Sequence, residues 1–229
     1  MRPFVFSLFA FWATLLSPMP VLASCICLTC VQTNLENIMA VSGNMEPTLP
    51  TGTCSKARHV DPATHDFHRG DVILFDHPVS AERYISRLMA LPGDQIKLRK
   101  GRVILNGAEV PQTPQKDYAI TMERQGPLKM LPRCSKPVAI GETCNIQSSM
   151  ETLPNGARYS VLNLGEYSQD NTGIYTVPED MVFVLGDNRD NSLDSRLPQQ
   201  SHGLGFIPIA KIIGLFEDLS PRKHASNTE

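Results

Sequence analysis

The chain has 229 residues, 41% of them hydrophobic, and a formal net charge of −2. That size and composition suit one globular domain with a small insertion, and the near-neutral balance argues against nucleic acid as the main partner. The 15 glycines and 18 prolines, set among short β-like runs, argue against a helical bundle.

Met1-Arg-Pro supplies a short positive start to an apolar run, Phe4 to Leu16, which Pro18 and Pro20 break before Val21-Leu-Ala-Ser-Cys25. Three readings stay open. Val21 and Ala23 suit a secretory signal cleaved after Ala23. Leu22-Ala-Ser-Cys25 resembles a bacterial lipobox, which would place a lipid on Cys25. The third is an uncleaved anchor, since no charge occurs between Arg2 and Glu36 and about 20 residues span a bilayer. Arg2 would then stay inside and the rest lie outside. All three place the globular part beyond the inner membrane. Cys25, Cys27 and Cys30 have metal-like C-x-C-x-x-C spacing, but without a second Cys/His cluster no metal is expected, and no cofactor either.

Short helices are predicted around Gln32–Met39 and at Ser80–Arg83. Apolar runs predict strands at Val72–Phe75, Tyr84–Leu88, Ile96–Leu98, Val103–Leu105, Tyr159–Leu162 and Val182–Leu185. Asn106-Gly107 and Asn155-Gly156 are turn dipeptides. Residues 111–150 are richer in Pro, Gln, Ser and Thr and read as a lobe inserted between two halves of one β domain. Within it Cys134 and Cys144 flank a short segment that a local disulfide would hold in an oxidising periplasm. The expected division is a signal peptide or anchor (1–24), a membrane-proximal linker (25–40), the main domain (41–219) and a disordered tail (220–229).

Five motifs follow in order: Val41-Ser-Gly-Asn-Met-Glu-Pro-Thr-Leu49, His68-Arg-Gly-Asp-Val-Ile-Leu-Phe75 with Pro78, Arg83-Tyr-Ile-Ser-Arg87 running on to Leu91-Pro-Gly-Asp94, Glu151-Thr-Leu-Pro-Asn-Gly156, and Leu185-Gly-Asp-Asn-Arg-Asp-Asn-Ser-Leu-Asp-Ser-Arg196. In order and spacing, from about Val41 to about Phe216, they resemble the boxes of type I signal peptidases, serine endopeptidases that remove export signals at the outer face of the membrane. The resemblance implies a mostly β, antiparallel fold. It also implies export signals or pre-proteins as partners, the periplasmic face of the inner membrane as location, and a buried thiol at Cys54.

The same resemblance puts the catalytic pair in question. The position of the family's nucleophilic serine is Asn44, whose carboxamide nitrogen is not nucleophilic because its lone pair is delocalised. The position of its general-base lysine is Ser86, a hydroxyl with no basic nitrogen. Ser42, two residues before Asn44, takes the oxyanion position. As a substitute nucleophile it would need a base that the neighbouring motifs do not supply. Lys97, Arg99 and Lys100 read as exposed strand or turn charges, and of the six histidines only His202 follows the last motif closely. By resemblance, Arg87 pairs with Asp187, Asp194 pairs with Arg196, and Ser192 faces Ser86. Ala40, Met45, Leu49, Tyr84 and Ile85 would line a peptide groove, although ordinary core packing explains the same apolar residues equally well. The expected function is a catalytically impaired pseudoenzyme at the membrane surface that binds export signals or assembles with an active relative. The alternatives are an active peptidase with non-standard residues and a non-catalytic scaffold.

Overall fold

The computed structural model describes residues 34–80, 82–201, 203–217 and 219. The N-terminal segment with Cys25, Cys27 and Cys30, and also His202 and the tail from Ser220, lie outside the described residues. Among the described residues no helix is long and apolar enough to cross a membrane.

In chain order the strands are β1 (Leu35–Met39), β2 (Cys54–His59), β3 (Val72–Asp76), β4 (Arg83–Ala90), β5 (Gln95–Arg99), β6 (Arg102–Leu105), β7 (Ala108–Glu109) and β8 (Gln112–Pro114). They continue as β9 (Tyr118–Thr121), β10 (Thr143–Thr152), β11 (Arg158–Asn163), β12 (Tyr175–Thr176), β13 (Met181–Leu185), β14 (Ile207–Pro208) and β15 (Ile212–Phe216). A seven-stranded sheet has the order β1-β2-β15-β3-β4-β13-β14. A second sheet has the order β12-β5-β6-β7, and a third, β11-β10-β8, carries β9 on β10. The named strands pair antiparallel throughout. The mostly antiparallel β fold expected from the sequence is therefore the one found.

Burial follows the residue pattern. Val72-Ile-Leu-Phe75 and Val182-Phe-Val-Leu185 are continuous apolar runs because β3 and β13 lie inside the large sheet, buried on both faces. In β5, Ile96 and Leu98 alternate with exposed or half-exposed polar residues, so that strand packs one face only. Asn106 and Gly107 both take positive φ, 50° and 84°, and link β6 to β7 in a tight hairpin.

Both helix predictions were wrong. Leu35–Met39 is a strand paired residue for residue with β2, so the sheet begins inside the stretch set aside as a linker. A 3.6-residue pattern cannot be told from a two-residue one over five mixed residues, and the long-range partner decided it. Around Ser80 the chain bends and enters β4 at Arg83 without a helical turn. Cys54 opens β2 at an exposed position and is disulfide-bonded, so the buried thiol is not found. Cys134 and Cys144 come within bonding distance, their Cα atoms 6.0 Å apart.

Candidate functional site

A short 3₁₀ turn, Gly43–Met45, leaves the extended Ser42 and carries Asn44 to the edge of β4. The Ser42 hydroxyl donates to Asn44 Oδ1 at 2.9 Å, and Asn44 Nδ2 donates to the Ile85 carbonyl at 2.8 Å. The Asn188 amide donates to the Asn44 carbonyl at 3.0 Å, which fastens the turn to the last motif. That approach requires a glycine at 186. A Cβ there would lie 2.6 Å from the Asn44 carbonyl and would overlap Ser192. Asn44 is thus a bridging side chain with both ends of its carboxamide committed. Its nitrogen lone pair is delocalised into the carbonyl and is not nucleophilic.

Ser86 sits inside β4 opposite Ile73 and is fully buried. Among the described residues its hydroxyl has no hydrogen-bond partner, and neither has that of Ser192. The facing pair expected of these two serines is therefore not a hydrogen-bonded one. The Ser42 hydroxyl donates its hydrogen bond to an amide oxygen, which is not a general base. Lys97, Arg99 and Lys100 lie on β5 and its turn, in another sheet. Among the described histidines, His59 meets Glu36, His68 meets Asp66, His77 accepts from the Val79 and Ser80 amides, and His65 packs on Phe67. None reaches Ser42.

Behind Asn44 and Ser86 lies a buried ionic lattice. Arg87 pairs with Asp187 through two bonds of 2.7 and 2.6 Å, and its remaining nitrogen donates to the Gly70 carbonyl at 2.6 Å. The Thr48 hydroxyl also donates to Asp187, which binds the turn after Asn44 to the pair. The Arg87 guanidinium stacks 3.8 Å from the Tyr159 ring centre, and the Tyr159 hydroxyl donates to Glu151 at 2.6 Å. Glu151 in turn accepts from Arg189 at 2.8 Å and from Gln112 at 2.9 Å. Arg189 returns to the site by donating to the Gly186 carbonyl at 3.1 Å. Arg196 grips Asp194 at 2.8 and 2.9 Å and also donates to the Arg189 carbonyl. Three guanidiniums balance three carboxylates, and none of the six is more than 5% exposed. Burial alone would raise the Glu151 carboxyl, but the Arg189 charge and three donors hold it below the usual range.

The sequence singled out both Arg87–Asp187 and Asp194–Arg196, which meet as described. It did not single out Glu151 or Arg189 as a pair. The sequence of β10 is mostly polar, so no apolar pattern marked Glu151 as buried. The groove residues divide. Ala40, Met45 and Leu49 are buried in a core with Ala57, Val72, Leu74 and Phe216, whereas Tyr84 and Ile85 stay half-buried. On β4 the partner β13 reaches only from Arg87 to Ala90. The half from Arg83 to Ser86 thus has strand pairing on the β3 side alone among the described residues.

Glu46 is a further buried group that sequence reasoning passed over. It is 3% exposed and takes the Thr51 hydroxyl at 2.7 Å. Burial raises its carboxyl above the ordinary range, and the Thr51 bonds offset only part of that. It also helps hold the nearby Tyr118 hydroxyl, pushed up to about 12 chiefly by burial. A raised folded-state value means that Glu46 supports folding when protonated. That support is complete below the ordinary carboxylate range and is lost as pH rises through the folded value. Glu46→Gln, neutral at every pH, is expected to melt a few degrees above the native chain near pH 8 and level with it near about pH 4. Thermal unfolding at the two pH values checks this.

A model of the family described as signal peptidase, peptidase S26, matches residues 12–217. The signal peptidase I of Rickettsia typhi is 36% identical over 155 residues, which is 64% of this chain and 49% of that protein. The signal peptidase I of Rickettsia canadensis is 36% identical over 153 residues, 63% of this chain and 48% of that protein. The chain spans about half the length of these relatives. A crystal structure of a signal peptidase I from Enterococcus faecalis V583 covers 67% of this chain and 98% of its own, with 24% identity and a TM-score of 0.35. With the family model covering nearly all of the described residues and the motifs in place around the site, the chain belongs to the signal peptidase family, peptidase S26.

Proposed function

We propose that this protein is a signal-peptidase-like pseudoenzyme that holds an export signal at the periplasmic face of the inner membrane without cutting it. The observation that carries this reading is the state of the two dyad positions. Asn44 is tied by its carboxamide to Ser42 and Ile85, and Ser86 is a buried hydroxyl with no base beside it. Support for retained binding comes from the edge of β4 at Arg83–Ser86, which β13 leaves uncovered and where Asn44 holds only the Ile85 carbonyl. An extended peptide can add there as a further strand, with main-chain bonds giving affinity and Tyr84 and Ile85 giving apolar contact. Assembly with an active relative belongs to the same proposal, since a non-cutting binder influences export only by presenting or withholding signals. The anchor, whether lipid on Cys25, an uncleaved helix or neither, is left to the N-terminal segment.

Titration of a labelled signal peptide with the purified chain, followed by fluorescence anisotropy, tests the binding half. Saturable binding is expected, unchanged by Ser42→Ala and weakened about tenfold by Ile85→Asp, the cost of losing one half-buried aliphatic contact and placing a charge in its stead. Binding that Ile85→Asp leaves intact would point to a scaffold that does not use this groove.

A further inference from the structure

We infer that the loop joining β9 to β10, residues 122–142, is a docking surface for an anionic lipid bilayer. It is a long connection, beyond the roughly 12–15 residues at which structureless loops become uncommon and usually functional. Its neck is closed by Met122 N donating to the Glu142 carbonyl at 2.8 Å and Gly141 N to the Met122 carbonyl at 2.9 Å, with Cys134 and Cys144 in bonding distance. Inside it, a Gln125–Met130 bridge and the Arg124 guanidinium on the Lys129 carbonyl at 3.0 Å fix the shape of the tip.

Two observations coincide there. Of the eight exposed large apolar side chains among the described residues, four lie on this loop: Leu128 at 60%, Met130 at 53%, Leu131 at 39% and Ile140 at 74%. Residues 122–142 hold Arg124, Lys129, Arg133 and Lys136, with two acids, Glu123 and Glu142, confined to the neck, a positive surplus in a chain whose net charge is −2. All four cations are exposed, and none is in an ion pair among the described residues. Aliphatic side chains interleaved with long cations suit a bilayer interface. The aliphatics enter the acyl boundary while the ammonium and guanidinium groups reach anionic headgroups. An acidic protein would satisfy the charges but leave Leu128 and Ile140 without an apolar counterpart.

The loop also touches the site. Gly126 packs so closely on Gly52 that a Cβ on Gly52 would lie 3.2 Å from it, and Arg133 donates to the Asp190 carbonyl at 2.8 Å. A bilayer at this loop would therefore lie beside the turn after Asn44 and the last motif. The inference rests on the reading of this chain as a protein of the membrane surface, and not on any reading of the groove.

Hydrogen exchange of the full chain on phosphatidylcholine vesicles, with and without roughly a third phosphatidylglycerol, tests it. Amides of 122–142 are expected to exchange several-fold more slowly on the anionic vesicles, with the difference abolished by about 0.5 M salt. Arg124→Gln with Lys129→Gln and Lys136→Gln should erase it too, since each cation contributes about fivefold to partitioning. These three residues are exposed and lie outside the ionic lattice, so a cooperative melt is expected to persist. Chain recovered with vesicles but equal exchange of the loop on both kinds would overturn the inference alone. So would a difference that survives the triple change, or equal protection by free inorganic phosphate. Chain left in solution by both vesicles would overturn the membrane-surface reading and the inference with it.

Discussion

Asn44→Ser combined with Ser86→Lys is expected to create a cleaving enzyme, with turnover of a pre-protein at least about 10³-fold above either single change. Groups that act as a unit are not additive. A serine at 44 has no base while Ser86 remains, and a lysine at 86 has no nucleophile while Asn44 remains. The surroundings favour the pair. Position 86 is fully buried, and burial lowers the pKa of a lysine toward the neutral form that a base requires. The partnerless Ser192 hydroxyl offers an acceptor in the same region. Asn44→Ser also frees the Ile85 carbonyl now held by the carboxamide. Mass analysis of the cleaved pre-protein checks the outcome. A double variant as silent as the singles would mean that the supporting shell has drifted as well.

The second large effect concerns stability. Arg87→Met is expected to cost about 3–5 kcal/mol, because it leaves the fully buried Asp187 carboxylate without its guanidinium and strips the Gly70 carbonyl of a donor. For a domain of this size that lowers the melting midpoint by roughly 6–20 °C. Adding Asp187→Leu is expected to recover part of the loss, since the unpaired charge is then gone. Removing Arg58, whose pairing with Glu217 is exposed to solvent, should leave the midpoint unchanged. Differential scanning calorimetry of the four proteins separates the cases. Arg87 and Asp187 hold β4, the Thr48 turn and the last motif together, so the lattice serves the fold independently of any turnover.

The legibility of this chain was uneven for physical reasons. β3 and β13 could be read directly because burial on both faces demands unbroken apolar runs, and Asn106-Gly107 because only such residues accept two successive positive φ angles. β1 could not be read, because Leu35-Glu-Asn-Ile-Met39 owes its strand to pairing with β2 and not to its own pattern. At the site, residue types alone carried the expectation that positions 44 and 86 supply neither a nucleophile nor a base. What those residues do instead was hidden in the sequence. The bond from Asn44 to Ile85 joins residues 41 positions apart, and the Tyr159–Glu151–Arg189 chain joins β10 and β11 to the last motif. Apolar pattern could not divide Met45 and Leu49, which serve the core, from Tyr84 and Ile85, which remain partly open.

The most direct test is intact-mass analysis of a pre-protein bearing an Ala-x-Ala site after prolonged incubation with the purified full chain in detergent. The expected result is a pre-protein of unchanged mass, from the native chain and from Ser42→Ala alike. Loss of the signal by cleavage at that site, abolished by Ser42→Ala, would contradict the account and show that Ser42 had found a base.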